Sequence, residues 1–130
     1  MILVYEAQQS GLLPDWNRIP WRSHSNFKDG CHRNNDGVSG QFQTDLSGGW
    51  FDAGDMVKFH LPMASSVYTL LQGALDFSNG YDLVAERQNF DNNIKFVLDY
   101  FLKTHPEENV YYGQVGDGDI DHKNYNRPEL

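Results

Sequence analysis

Hydrophobic and polar positions follow a helical period in three parts of this chain and no sustained period between the first two. Near the start, Ile2 and Tyr5 fit the last turns of a helix over residues 1–10. Gly11 and Pro14 then interrupt the pattern, because neither residue suits a helix interior. We therefore expect a short first helix that ends near residue 10.

The second helical pattern opens at Pro62, a residue that suits the first turn of a helix. Apolar side chains then recur at steps of three and four residues until Asn79 and Gly80, which predict the end of the helix. We expect this stripe to face a core. Its members are Met63, Val67, Leu70, Leu71, Ala74 and Leu75.

The third helical pattern runs from about Glu86 to Thr104 and is ended by His105 and Pro106. The opposite face is polar. The predicted buried stripe consists of Phe90, Ile94, Val97, Leu98, Phe101 and Leu102. Strand signals are few, although residues 110–115 fit one short strand. The chain is therefore predicted to be all-α.

Residues 12–60 form a long stretch without helical or strand periodicity. The stretch is rich in glycine and carries all three tryptophans, Trp16, Trp21 and Trp50. Loops of this length are usually functional or disordered, and the aromatic content argues against disorder. We therefore expect a functional loop.

Three such helices bury their apolar stripes poorly on one another while a long loop stays attached, and a small core rarely leaves more than about 3–5 kcal/mol of net stability. Both ends are expected to be cut: a helix begins at Met1 without a capping residue, and the chain closes on polar residues up to Leu130. Residues 1–130 are therefore expected to be the N-terminal part of one larger domain.

Charge and composition narrow the possible partners. The formal net charge is −8 and the ten Lys and Arg residues are scattered, which argues against a nucleic-acid or membrane partner. A neutral polysaccharide meets no such objection. Cys31 is the single cysteine, and the five histidines lack a metal spacing, so we expect no metal site and no cofactor. No signal peptide or membrane-spanning run is visible.

Two aspartates three residues apart, Asp52 and Asp55, lie among glycine and aromatic residues. On a loop, two such carboxylates can converge on one water, with one accepting its proton and the other orienting it. Asp55 is nearer the second helix and is the predicted base. Trp50 and Phe51 offer rings that suit the face of a sugar. A solvated Asp-Gly turn is the alternative.

A second acidic segment alternates aspartates from Asp117 to Asp121. A calcium loop of the EF-hand type would need Gly at its sixth position and Glu at its twelfth, where this chain has His122 and Pro128. His122 and Tyr125 instead suit hydrogen bonding and stacking to a sugar. A solvated acidic loop is the other interpretation.

Trp21 and Arg22 are interpreted as structural. Arg22 is expected to be a buried partner for an acidic-loop carboxylate, and Trp21 to pack beneath the long loop.

The motifs of the chain, in their order and spacing, resemble the N-terminal part of glycoside hydrolase family 9 endoglucanases over nearly the whole sequence. They are Tyr5–Gly11, Leu13-Pro14, Ile19–Arg22, Asp45–Ala64, Val115–His122 and Arg127–Glu129. The resemblance implies part of an (α/α)6 barrel, with the first three helices and long loops along an open cleft for cellulose. It also implies a secreted protein and inverting attack of water on β-1,4-glucosidic bonds.

Residue roles follow from the same resemblance. Asp55 matches the general base, Asp52 the aspartate that helps to bind the same water, and His122 a histidine that lines the sugar subsites. Tyr125 lies where an aromatic residue often contributes to those subsites. The general acid is a glutamate far downstream in the family, outside this chain, so the isolated chain is expected to be inactive.

The sequence also departs from the family pattern. Met56 stands where histidine is usual, the usual acidic residue near His24 is replaced, and residues 31–43 resemble an extended loop. A non-catalytic carbohydrate-binding module, with Trp50, Phe51 and Tyr125 as stacking platforms, is the alternative function.

Overall fold

The structure, a computed structural model, describes residues 2–33, 39–42, 44–123 and 126–129. These residues form five helices and four short strands. The helices are α1 (Ile2–Ala7), α2 (His60–Asp76), α3 (Ser78–Leu83), α4 (Arg87–Lys103) and α5 (Gly118–Asp121). The strands are β1 (Cys31–Arg33), β2 (Ser39–Phe42), β3 (Lys58–Phe59) and β4 (Gln114–Val115). The described part is thus mainly helical, and the barrel stays an expectation.

One hydrophobic core lies between α2, α4 and α1. Its buried members are Ile2, Trp50, Met63, Val67, Leu70, Ala74, Phe90, Ile94, Val97 and Tyr100. The spacing of these positions on α2 and α4 is helical, so each helix turns one apolar stripe inward. The core also takes in Trp50 from the long loop, which holds the end of that loop against the helices.

Both predicted stripes are too wide. Leu75 of α2 is 78% exposed and Leu102 of α4 is 74% exposed, and Leu98 is also exposed. Each residue turns the helix by about 100°, so one helix face holds fewer positions than the apolar residues available. Asn93 and Tyr100 are buried on α4 instead, with Asn93 accepting a hydrogen bond from the Gln9 amide at 3.0 Å.

Helix ends agree with the predictions for α4 and differ for α2. The α4 helix ends at Lys103, just before the predicted His105-Pro106 stop. The α2 helix begins at His60, two residues before Pro62, and ends at Asp76. The prediction that Asn79 and Gly80 end this helix is wrong, because both residues lie inside the separate α3. The break lies at Phe77, whose φ and ψ angles of −127° and 45° are not helical, although its N–H still donates to the carbonyl of Gly73.

The long loop is partly organised. Strands β1 and β2 pair antiparallel within it, and an antiparallel bridge joins Gln9 to Trp50. The predicted strand over residues 110–115 is confined to β4, which pairs antiparallel with β3. Among the described residues, none of the helices combines the length and apolarity that a bilayer crossing requires.

The buried side chain of Lys58 binds three residues of the long loop. Its fully buried ammonium pairs with Asp29 at 2.6 Å and donates to the carbonyls of Leu46 and Gly48 at 2.5 and 3.0 Å. The ammonium also lies 4.8 Å from the centre of the Tyr100 ring. A buried charge is stable only when it is paired and hydrogen-bonded. These contacts therefore join the loop to β3 close to Asp55.

Candidate active site

A two-residue ladder brings the two acidic segments together. Lys58 pairs with Val115 and Phe59 with Gln114 in antiparallel register. Residues that precede β3 and residues that follow β4 therefore emerge at the same end of the ladder. This places the segment of Asp55 beside α5, although the two are far apart in sequence.

Asp55 and His122 meet at that end. The Nε2 atom of His122 lies 2.9 Å from Oδ2 of Asp55. The Asp55 side chain is 14% exposed, whereas that of His122 is 54% exposed. The hydrogen bond to Asp55 raises the pKa of His122 above its ordinary value. The other carboxylate oxygen of Asp55 has one long contact, 3.4 Å from the N–H of Ala53.

The acidic segment around Asp117 is a capped helical turn. The Asp117 carboxylate accepts from the N–H groups of Asp119 and Ile120 at 2.9 and 3.1 Å. Asp121 accepts from the N–H of Met56 at 3.2 Å. The Asp117 carboxylate thus caps α5, whereas the Asp121 carboxylate holds the backbone at Met56, outside that helix.

Asp121 is a site residue that the sequence analysis did not single out. One carboxylate oxygen each of Asp55 and Asp121 and one ring nitrogen of His122 lie within 4.8 Å of one another. The sequence did offer one signal, because Asp121 directly precedes His122. A residue next to one that contacts Asp55 is itself close to the Asp55 segment.

Asp52 is held differently from Asp55. Its side chain is exposed and makes no hydrogen bond or ion pair within the described part of the chain. Asp52 lines a small cavity of about 180 Å³ together with Tyr5 and Met63, whereas Asp55 lines a larger neighbouring cavity. The two aspartates thus line two different cavities, which share Val4, Gln8 and Phe51 as lining residues.

The larger cavity has a volume of about 570 Å³ and lies between Asp55, Trp21, Arg22 and Arg127. Trp21 is 69% exposed, so the prediction that it packs beneath the loop is wrong. Trp21 instead lines the larger cavity with most of its surface open.

Arg22 is buried as predicted. Its side chain is 3% exposed and donates to Glu129 at 2.6 Å. It also donates to the carbonyl of Gln9 at 2.9 Å and to that of Ala7. Its acidic partner therefore belongs to the last described segment, and the pair ties that segment to the end of α1.

The two aromatic residues before Asp52 lie in the interior. Trp50 is 3% exposed and Phe51 is 5% exposed, and the Trp50 ring packs 4.6 Å from that of Tyr5. Neither offers an open face to a sugar, so in this structure Trp50 is a core residue rather than a substrate contact. Tyr125 lies outside the described residues.

The backbone before Asp55 is held by Gln8, the residue directly after α1. Phe51 N–H donates to the carbonyl of Gln8 at 2.8 Å, and the Gln8 amide donates to the carbonyl of Ala53 at 2.7 Å. A carboxylate held this way, with one oxygen bonded to His122 and the other nearly free beside a cavity, can accept a proton from water.

Comparison with protein families gives one match over the whole chain. The model described as "Glycosyl hydrolase family 9" matches residues 1–130. Among curated proteins, Endoglucanase 6 of Arabidopsis thaliana is 45% identical over 128 residues. That alignment covers 98% of this chain and 19% of the relative, so the chain spans about a fifth of the length of such relatives.

Solved structures give the same answer. An endoglucanase from the termite Nasutitermes takasagoensis superimposes with a TM-score of 0.85 at 42% identity, over 98% of this chain and 28% of that one. Endoglucanase CelQ from Clostridium thermocellum, solved in complex with cellotriose, superimposes with a TM-score of 0.81 at 34% identity. This match covers 98% of this chain and 19% of CelQ.

Proposed function

The chain belongs to glycosyl hydrolase family 9, and from that premise we propose that it carries the water-activating side of an endoglucanase active site, with Asp55 as general base. The observation that carries the proposal is the Asp55 carboxylate, held 2.9 Å from His122 in a residue that lines a cavity of about 570 Å³, while its second oxygen has only a 3.4 Å contact with the N–H of Ala53. A general base must be oriented and must keep one oxygen within reach of water.

Asp52 has the second role. We assign it to the orientation of the attacking water, because it is exposed and unpaired within the described residues and stands three positions before Asp55. Inverting glycosidases place base and acid about 6.5–9.5 Å apart, with the water between base and sugar. Two aspartates on one loop suit a shared water better than opposite faces of a sugar.

The acid is then supplied by another part of the polypeptide. Among the described residues, Glu129 is the other carboxyl group that lines the larger cavity. Burial acts to raise the pKa of Glu129, but the hydrogen bonds from Arg22 and from backbone N–H groups, together with the charge of Arg22, outweigh it and hold the pKa below its ordinary value. A carboxylate kept ionised by an arginine cannot protonate a leaving group.

The proposed substrate is a β-1,4-glucan. CelQ, which resembles this chain, is described in complex with cellotriose. His122 is half exposed beside Asp55 and is the proposed sugar contact among the described residues, with Tyr125 as a further contact proposed from the sequence. Secretion, which the family resemblance implies, is part of the same proposal.

Product stereochemistry tests the proposal. We would build a chimera in which residues 1–130 replace the matching segment of the termite endoglucanase, and follow cellopentaose hydrolysis by proton NMR. Attack of water activated by Asp55 predicts the α-anomer as first product, because an inverting displacement reverses the β configuration.

The matched variant is Asp55→Asn, which keeps the size of the side chain and removes the base. We expect it to bind cello-oligosaccharide in calorimetry and to release almost no product. A β-anomer as first product, or an Asp55→Asn chimera as fast as its parent, contradicts the proposed role of Asp55.

A further inference from the structure

Asp121 makes a contact that the proposed reaction does not use. Its Oδ2 accepts the N–H of Met56 at 3.2 Å, while its neighbour His122 bonds Asp55 at 2.9 Å. Two consecutive residues of one segment thus hold two consecutive residues of the other. We propose that Asp121 is a positioning residue that fixes the main chain at Met56 and thereby the direction of the Asp55 carboxylate. The proposal rests on the assignment of Asp55 as base.

The loop needs such a restraint. Residues 52–54 are exposed, and a side-chain atom built on Gly54 would meet nothing within 4 Å. Upstream, the loop is held by the Gln8 bond to the carbonyl of Ala53 at 2.7 Å. The bond from Asp121 acts on the residue directly after Asp55. Fixing the backbone on both sides of a side chain limits the directions in which that side chain points.

Asp121 is itself well placed to act as an anchor. Its N–H donates to the carbonyl of Asp117 at 2.9 Å, and the N–H of His122 donates to that of Gly118 at 3.0 Å. The Asp117 side chain caps the same turn. The turn follows β4 closely, so the β3–β4 ladder sets its distance from Met56.

A hydrogen-bond role can be separated from a charge role. Asp121→Asn removes the charge and keeps a carbonyl oxygen that can accept the N–H of Met56. Asp121→Ala removes both. Asp119 lies on the same turn, also acts on His122 through its charge, and makes no hydrogen bond to the loop within the described residues. Asp119→Ala is therefore the matched control for a lost charge.

The first measurement needs no activity. The titration of His122 is followed by NMR in the chimera, with its signal assigned by its loss in His122→Gln. Asp121→Ala and Asp121→Asn lose the same charge, so a difference between them reports the hydrogen bond. We expect the pKa of His122 to fall further in Asp121→Ala, because the released loop moves Asp55 away from the imidazole.

The second measurement is turnover of cellopentaose by the chimera. We expect Asp121→Ala to lower kcat about tenfold to hundredfold with little change in KM, because a misplaced base affects the chemical step more than binding. Asp121→Asn and Asp119→Ala should stay within about threefold of the parent, because both keep the acceptor.

The outcomes separate the two proposals. Equal behaviour of Asp121→Ala and Asp121→Asn in titration and in kcat overturns the positioning role, as does an Asp121→Asn chimera as slow as Asp121→Ala. If Asp55→Asn leaves turnover intact, the proposed function fails instead, and the titration alone decides whether Asp121 holds Asp55 against His122.

Discussion

Asp52 and Asp55 share one motif but not one environment. Asp55 is mostly buried and bonded to His122, whereas Asp52 is exposed and unpaired within the described residues. Removing a fixed base takes away the group that receives the proton, while removing a water-orienting group leaves that base in place. Loss of the Asp55 carboxylate should therefore lower kcat more than loss of the Asp52 carboxylate.

We predict that Asp55→Asn lowers kcat of the chimera about a thousandfold or more, and that Asp52→Asn lowers it about tenfold to hundredfold. Turnover of carboxymethylcellulose measures both, with calorimetry of cellotetraose binding as the control for folding. A larger loss in Asp52→Asn than in Asp55→Asn would reverse the assignment.

His60 gives the chain a pH-dependent stability. The imidazole is 2% exposed and lies 2.7 Å from the hydroxyl of Tyr100 and 3.2 Å from that of Tyr111. Burial, with a smaller contribution from Lys58, lowers the pKa of His60 to about 4. Below the ordinary value of about 6.5 the unfolded chain takes up a proton that the folded chain does not. Stability is therefore lost as the pH falls from about 6.5 to about 4.

We predict that the free energy of unfolding attributable to His60 decreases by about 2–3 kcal/mol between pH 7 and pH 4.5. Urea denaturation of the 130-residue chain at both pH values measures it. His60→Gln should lose this part of the pH dependence, whereas His105→Gln, at an exposed position, should keep it. Identical pH dependence in the parent and His60→Gln contradicts the prediction.

For single residues, the sequence predicted which side chains belong to the candidate site better than it predicted which side chains are buried. Asp55 and His122 were found from their motifs, and the structure brings them together. Trp50 and Trp21 were both misassigned, because whether an indole ring is covered depends on residues far away in the chain, such as Tyr5 for Trp50. No local pattern carries that information.

Among the elements, the contact between the long loop and α4 depends on Gly49. Its backbone has a φ of +75°, and a side-chain carbon built there would lie 2.5 Å from the ring of Tyr100. A residue other than glycine would thus have to displace a ring that is 2% exposed. Gly73, within α2, meets nothing within 4 Å.

We predict that Gly49→Ala destabilises the 130-residue chain by about 1–3 kcal/mol, the usual cost of overpacking a core. The matched change Gly73→Ala should stabilise it by about 0.5–1 kcal/mol, because alanine favours a helix interior over glycine. Chemical denaturation of both variants checks the pair. Equal effects would show that the loop does not pack on Tyr100 as described.

Element prediction succeeded where several signals agreed. The α4 helix has a long apolar stripe and a histidine-proline stop, and its bounds were predicted closely. The α3 helix has no buried residue, so its sequence has no apolar periodicity from which a helix could be predicted. The β3–β4 ladder is two residues long on each side, too short for any alternation, although it assembles the site. Long-range pairing of so few residues leaves no mark on a sequence.

At the scale of the whole molecule, large apolar side chains remain uncovered. On α2 these are Leu61, Tyr68 and Leu75, at 83%, 69% and 78% exposure. They recur every seven residues and so form a second stripe beside the buried one. From the sequence we expected the core to need more chain, and an exposed apolar stripe of this kind is suited to packing against a further helix.

We propose that this chain holds the base side of an inverting site whose acid comes from another part of the polypeptide. The most direct measurement compares hydrolysis of carboxymethylcellulose by the 130-residue chain and by the chimera, at equal molar concentration. We predict hydrolysis by the chimera and none by the chain alone, because water activation without protonation of the leaving group does not cleave the bond at a useful rate. Hydrolysis by the isolated chain at a rate close to that of the chimera would contradict the claim.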